Sequence, residues 1–357
     1  MLKKRIAWAE PDIGEEEADA VSEVIKAGWI GGNGKQVKAF EMALCSITGA
    51  RYALALANGT LALTCAMQTL REKKIMMKFL IPTLTFFATA STTAELQRSS
   101  PYLMDSDRTS WNMETDTSLF RDVILVPVDL CGVPCEYDTL RKAGKIIIAD
   151  SAESLGSKYR GNPIGTQANM HCFSFHSTKV VTAGEGGAIT TNDKELYELS
   201  KSISNQGYDQ KEWYEYRHER LGFNYRMSEI HATIALVQLK KLQRYLKERK
   251  EKAETYKDIL GDLVGYQETP KNCTTNNFLF PIMVENNVNL SLELADKGIG
   301  TKCIWTPIHQ QKPFLRKASF PNAEYIAKRG LFLPIHNRID EEDVKEIASI
   351  VKEIVKG

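Results

Sequence analysis

The sequence predicts an α/β fold: a doubly wound, mainly parallel sheet over roughly residues 50 to 205, followed by a smaller α+β unit. Three observations predict it. From residue 52 onward short apolar runs alternate with helical segments, the rhythm of strand, crossover and strand. One run, Val123 to Val128, is apolar throughout, as suits a strand buried on both faces. The 357 residues, 43% of them hydrophobic, supply a core for one large domain or two.

Ahead of the sheet, residues 14–27 carry acids in the first turn and apolar residues at helical spacing, with Gly28 as the stop, so a helix is expected. The stretch Gly28 to Gly34 follows no strand and lacks the Gly-x-x-x-x-Gly-Lys-Thr pattern, so it reads as a flexible connector rather than a phosphate loop. A second helix runs from Lys35 to about Ile47. Tyr52 to Ala57 is the first strand, Asn58-Gly59-Thr60 breaks it, and Leu61 to Leu70 is helical. Free amides at such a junction bind phosphate, which makes Asn58-Gly59-Thr60 a candidate anion cradle; a plain turn is the alternative.

Phe79 to Pro82 is the next strand and Thr83 to Ala94 its helix. Phe86, in the first turn, has two readings: a ring lying flat on a planar ligand, or core packing. Pro101 to Met104 and Val123 to Val128 are further strands, separated by a polar loop over Ser106 to Arg121. Lys145 to Asp150 is β-branched and ends in a carboxylate. An acid there is costly without a cationic partner, which marks Asp150 as a functional candidate, with Glu153 following it into the same crevice.

Met170 to Phe175 and Ala188 to Asn192 complete the strands, with a helix over Lys194 to Ser204. Beyond them, Leu221 to Met227 is a loop opening a long helix that has Leu236, Leu239, Leu242 and Leu246 on one face. The tail of that helix, residues 247–254, mixes charge signs and reads as a solvated face. The smaller unit holds a strand within Asn277 to Met283 and a closing helix from Glu341 to Val355. The domain division is therefore 1–245 and 246–357.

Lys and Arg number 46 against 45 for Asp and Glu, so no bulk field favours nucleic acid or an anionic membrane. Seven scattered cysteines read as reduced thiols in the cytoplasm. The pair Cys131 and Cys135 has no second Cys or His pair nearby to complete a zinc site, and no metal is expected. The basic start, Met1 to Ile6, precedes no apolar run, so it is not read as a signal peptide. No stretch is long and apolar enough to span a membrane.

The stretch Phe173-Ser-Phe-His-Ser-Thr-Lys179 leads from a strand into a loop with one lysine, and Gly184-Glu-Gly-Gly187 follows. A desolvated lysine amine forms Schiff bases with carbonyl compounds. Three strand ends thus present a phosphate cradle, an acid and a lysine, the equipment of a pyridoxal phosphate enzyme.

These residues carry a resemblance. Trp29-Ile30, Asn58-Gly59-Thr60, Pro82 to Phe86, Asp150 to Glu153, Ser174 to Lys179, Gly184 to Gly187, Leu221 to Arg226 and Pro307-Ile-His309, in this order, resemble the DegT-type sugar-nucleotide aminotransferases among the fold-type I pyridoxal phosphate enzymes. The resemblance implies a mainly parallel seven-stranded sheet sandwiched by helices. It implies that Lys179 is the Schiff-base lysine and that Asp150 partners the pyridine nitrogen. Phe86 falls where an aromatic stacks on the ring, Glu153 near the ring hydroxyl, and Gly59, Thr60 and Ser174 in the phosphate set. Asn224 matches an asparagine that reaches the phosphate of a neighbouring subunit, which implies a homodimer, and His309 matches a position near the sugar.

The implied reaction moves an amino group from L-glutamate to a nucleotide-linked keto sugar, with pyridoxal 5'-phosphate passing through its pyridoxamine form. Glu153, Ser110-Trp-Asn112 and Arg217-His218 look most like the branch acting at C4 of 4-keto-6-deoxy sugars, as in perosamine or viosamine formation for polysaccharides. A C3 aminotransferase is the alternative enzyme, and a non-catalytic ligand-binding relative the alternative class. A nicotinamide-binding reading lacks Gly-x-Gly-x-x-Gly after the first strand. His176 reads as a loop or packed histidine and Glu185 as a structural contact.

Overall fold

A computed structural model describes residues 5–75, 77–118, 120–143, 145–208 and 216–356; the start at Met1 to Lys4 lies outside the described residues. Strands β1 (Tyr52–Leu56), β2 (Lys78–Pro82), β3 (Tyr102–Met104), β4 (Val123–Leu125) and β5 (Ile148–Asp150) come first. A two-residue ribbon, β6 (Lys158–Tyr159) with β7 (Asn162–Pro163), interrupts them before β8 (Met170–Ser174) and β9 (Gly187–Thr191). Bridges Leu125 to Ile147 and Val128 to Asp150 join the two halves into one seven-stranded order, β1-β9-β8-β5-β4-β2-β3. Only β9 runs against the rest, pairing antiparallel with β1 and β8. The carboxyl ends of the other strands therefore share one edge of the sheet.

Helices α1 (Glu15–Ala27), α2 (Lys35–Thr48), α3 (Gly59–Glu72), α4 (Phe87–Gln97), α5 (Tyr137–Lys142) and α6 (Lys194–Ser204) flank the sheet. Two apolar clusters lie on its faces, one centred on Phe40, Phe173 and Phe175, the other on Leu56, Met67 and Ile81. The helix expected at Thr83 begins only at Phe87. The Thr83 amide donates to Met104, and Phe86 is extended at the helix N-cap, so the chain after Pro82 turns before it coils. The strand expected to reach Val128 ends at Leu125, short of Pro127, which has no N–H to donate. The short helix α5 was not among the expected elements.

Helix α7 (Glu229–Leu260) packs on α1 and α2 and continues past the expected boundary at 245. Leu239 and Leu242 are buried, with Leu236 and Leu246 partly buried beside them. Its tail has the expected solvated face, with Lys247 paired to Glu251 and Lys250 to Glu254, but Arg249 and Lys252 on the other face are buried. Arg249 donates to the carbonyls of Asn277 and Phe278 and to Asn337, while Lys252 donates to the His336 carbonyl. Returning chain covers the two cations and supplies acceptors for their protons.

The C-terminal part is a second, antiparallel sheet in the order β10 (Gly265–Tyr266), β11 (Phe280–Met283), β13 (Gly330–Leu333) and β12 (Lys302–Cys303). Helices α8 (Asn287–Asp296), α9 (Pro321–Arg329) and α10 (Glu341–Lys356) cover it. Its core includes Ile6, whose backbone bridges Ile299, so the N-terminal segment docks on this sheet rather than on the first. The connector at Gly28 to Gly34 is tied down: the buried Glu229 carboxylate accepts the amides of Gln36 and Val37 at the start of α2. No described helix is long and apolar enough to cross a membrane.

Candidate active site

The strand ends open into a cavity of about 740 Å³. Gly59, Thr60, Phe86, Asp150, Glu153, Ser174 and Lys179 all line it, so seven of the expected site residues meet in one place.

The cradle comes from α3. Asn58 caps the helix by accepting the Leu61 amide at 2.9 Å, which leaves the Gly59 and Thr60 amides without an acceptor among the described residues. A Cβ on Gly59 would come within 2.9 Å of the Ser174 Cβ, and a Cβ on Gly187 within 2.2 Å of the Asn58 carbonyl oxygen. Glycine at both positions lets the first turn of α3 lie close against β8 and β9, with the Ser174 hydroxyl beside the free amides. An anion with several oxygens fits such a cradle.

Asp150 ends β5 as a buried carboxylate whose oxygens accept the Thr89 hydroxyl at 2.7 Å and the Ala152 amide at 3.1 Å. Burial pushes its pKa up, against the pull of those two donors and of Lys179. Its donors within the chain, a hydroxyl and an amide, are both neutral, and no cation pairs with it among the described residues. Beneath it, Asp129 accepts the hydroxyls of Ser151, Ser154 and Tyr137, and Ser151 also meets the buried His171 at 2.8 Å. This network fixes residues 151–154, which carry Glu153.

Lys179 follows β8, its side chain 16% exposed. Its ammonium lies 3.4 Å from a Glu153 oxygen and 4.2 Å above the centre of the Phe278 ring. The other Glu153 oxygen accepts the Cys131 amide at 2.7 Å. Burial raises the Glu153 pKa, with Lys179 opposing the shift most. Phe86 is 56% exposed at the cavity, which removes the core-packing reading.

Two expected residues lie elsewhere. His309 is 2% exposed, with Nδ1 at 2.8 Å from the Thr83 hydroxyl and Nε2 at 3.2 Å from Glu324, so neither nitrogen faces the cavity. Its place is to hold the Thr83 turn that presents Phe86. Asn224 is exposed, in the segment that pairs with Asn205, and does not line the cavity. His176 and Glu185 do line it, with 3.9 Å between Nε2 and the carboxylate.

Sequence reasoning missed Thr89, one turn into a helix, and the opposite wall formed by Trp8, Phe278, Lys302, Trp305 and Phe332. None of these stands in a chemical motif. No composition bias marked them either, because the rings of the C-terminal part are no denser than in the rest of the chain.

A half-buried lysine, a buried strand-end acid and an open helix N-terminus on a mainly parallel sheet define a fold-type I pyridoxal-phosphate-dependent aminotransferase. The sequence profile of the DegT/DnrJ/EryC1/StrS aminotransferase family matches residues 11–352, and the chain belongs to that family. It is similar to GDP-perosamine synthase of Escherichia coli O157:H7, at 30% identity over 98% of each chain. It is also 30% identical to the UDP-4-amino-4,6-dideoxy-N-acetyl-beta-L-altrosamine transaminase of Helicobacter pylori, covering 98% of this chain and 97% of that one. Among solved structures it resembles Helicobacter pylori PseC, an aminotransferase involved in pseudoaminic acid biosynthesis, with a TM-score of 0.93 and 28% identity over 99% of this chain and 100% of that one. The chain is a sugar-nucleotide aminotransferase in this broad sense.

Proposed function

We propose that the protein transfers the amino group of L-glutamate to the C4 ketone of a nucleotide-linked 4-keto-6-deoxy sugar. The observation that carries the reading is the floor of the cavity, where Lys179, Glu153, Asp150 and the free amides of Gly59 and Thr60 converge. The C4 position is supported by the similarity to a perosamine synthase and to a 4-amino-4,6-dideoxy sugar transaminase.

Pyridoxal 5'-phosphate, when bound, supplies an aldehyde that captures amines and a protonated ring that accepts electrons. In this reading Gly59, Thr60 and Ser174 hold its phosphate, Asp150 faces its ring nitrogen, Phe86 covers its face, and Glu153 stands near its hydroxyl. Lys179 would hold the aldehyde carbon, and its amine, when free, would carry a proton between the donor's α-carbon and the adjacent position in either direction. Glu153 and Phe278 keep the displaced amine in place.

We assign residues 1–245 to the cofactor-binding domain and 246–357 to the smaller one. A homodimer in which Asn224 serves the neighbouring site accords with the exposed Trp29, Ile30, Leu221 and Phe223, where Gly32 lies against Arg226. A cytoplasmic setting accords with the absence of disulfides among the described cysteines.

The test is a panel of 4-keto and 3-keto sugar nucleotides with L-glutamate, read by mass spectrometry and by the visible absorbance of the bound cofactor. The expected result is loss of the visible band with glutamate and a product aminated at C4. Amination at C3 overturns the position, and a band unchanged by glutamate overturns the reaction.

A further inference from the structure

The wall opposite the strand ends carries one cation. Lys302 lies on β12, is exposed at the cavity, and makes no ion pair with a described residue. Its ammonium lies 5.1 Å from the centre of the Trp8 ring. The other lysine lining the cavity, Lys179, faces Glu153. The acids of the lining are Asp150, Glu153 and Glu185, so an anionic substrate meets no other ammonium that is unengaged.

The position of Lys302 is built. The Gly300 amide donates to the Ile6 carbonyl at 2.7 Å and the Ile6 amide to Gly298 at 3.0 Å, which sets Trp8 beside β12. A Cβ on Gly300 would lie 2.8 Å from the Trp8 amide nitrogen, so glycine permits the approach. Trp305 stands edge-on to Phe332 with ring centres 5.2 Å apart, giving the wall a second indole. Rings of this kind offer flat apolar surface to a sugar or a base, and the ammonium offers charge.

We propose that Lys302, flanked by Trp8, binds the diphosphate of the sugar nucleotide. The inference rests on the sugar-nucleotide reading above and assigns the anion subsite within the same cavity. In a hexose the anomeric oxygen stands across the ring from C4. With the ketone at Lys179 on the floor, the diphosphate leaves toward the mouth, where Lys302 is exposed. The carboxylates of glutamate are the competing anion, and the two half-reactions separate them.

The experiment uses the cofactor-loaded protein and its Lys302→Met and Lys302→Arg variants. Binding of GDP, UDP and dTDP is measured by calorimetry, and the glutamate half-reaction by the loss of visible absorbance. Lys302→Met is expected to weaken the best-bound nucleoside diphosphate by roughly 10- to 100-fold, as for a lost charge-assisted hydrogen bond, and to flatten its dependence on salt. Lys302→Arg is expected to restore most of the binding, and the glutamate half-reaction to stay unchanged in both variants.

Unchanged nucleotide binding in Lys302→Met overturns the assignment, and so does a glutamate half-reaction slowed as much as the binding is weakened. Wild-type protein that consumes glutamate yet binds no nucleoside diphosphate overturns the sugar-nucleotide reading itself, and the assignment with it.

Discussion

The two sides of the cavity are made differently. The floor is built from small polar residues at strand ends, and its acids, Asp150 and Glu153, are buried with every oxygen engaged. The wall is built from large rings and a lysine that pairs with no described acid, contributed by the N-terminal segment and the C-terminal part. The floor concentrates charge where little water reaches, so its groups govern reactivity. The wall presents area and one exposed charge, so its groups govern which substrate stays bound. Substitutions on the two sides should therefore fall on kcat and on KM respectively.

Lys179→Ala removes the proton carrier and is expected to lower kcat by at least about 10⁴-fold, with circular dichroism unchanged. A variant retaining a tenth of wild-type turnover would move the reactive amine elsewhere. Asp150→Asn keeps the shape but takes away the charge opposite the ring nitrogen. Its expected cost is about 10²- to 10³-fold in kcat, with little change in KM for the sugar nucleotide.

Trp305→Ala tests the wall: KM for the sugar nucleotide should rise roughly tenfold at nearly constant kcat. A fall in kcat alone would erase the distinction between the two sides. Thr89→Val is expected to have the smallest effect. The Thr89 hydroxyl favours charged Asp150, whose pKa burial has already raised, so its loss pushes that pKa further up. The acid limb of the pH profile should move to higher pH by less than about one unit.

The same contrast explains what the sequence disclosed. The floor was legible because strand ends punctuate a chain: Asn58-Gly59-Thr60, Asp150 and Lys179 each follow an apolar run, and the sheet brings those ends together. The wall was not, because Trp8 and Lys302 become neighbours only through the pairing of Ile6 with Ile299, and neither flank carries a motif. The tail of α7 was legible on its solvated face only, for a related reason. Mixed charges along a helix look solvated until later segments return over Arg249 and Lys252 with their carbonyls. For His309 the family resemblance pointed toward the sugar, whereas its ring is spent on Thr83 and Glu324.

The single reversed strand also sets an order of assembly. Strand β1 lies at the sheet edge and its one strand neighbour, β9, is the last of the seven to leave the ribosome. An apolar run near the start of the chain therefore waits, unpaired, through the synthesis of every other strand, and its closure is the slow, long-range step of folding. Because Gly187 of β9 packs on the Asn58 backbone, that closure also completes the cradle at the start of α3. Cofactor capture during refolding will then lag the formation of secondary structure and report the arrival of the final strand.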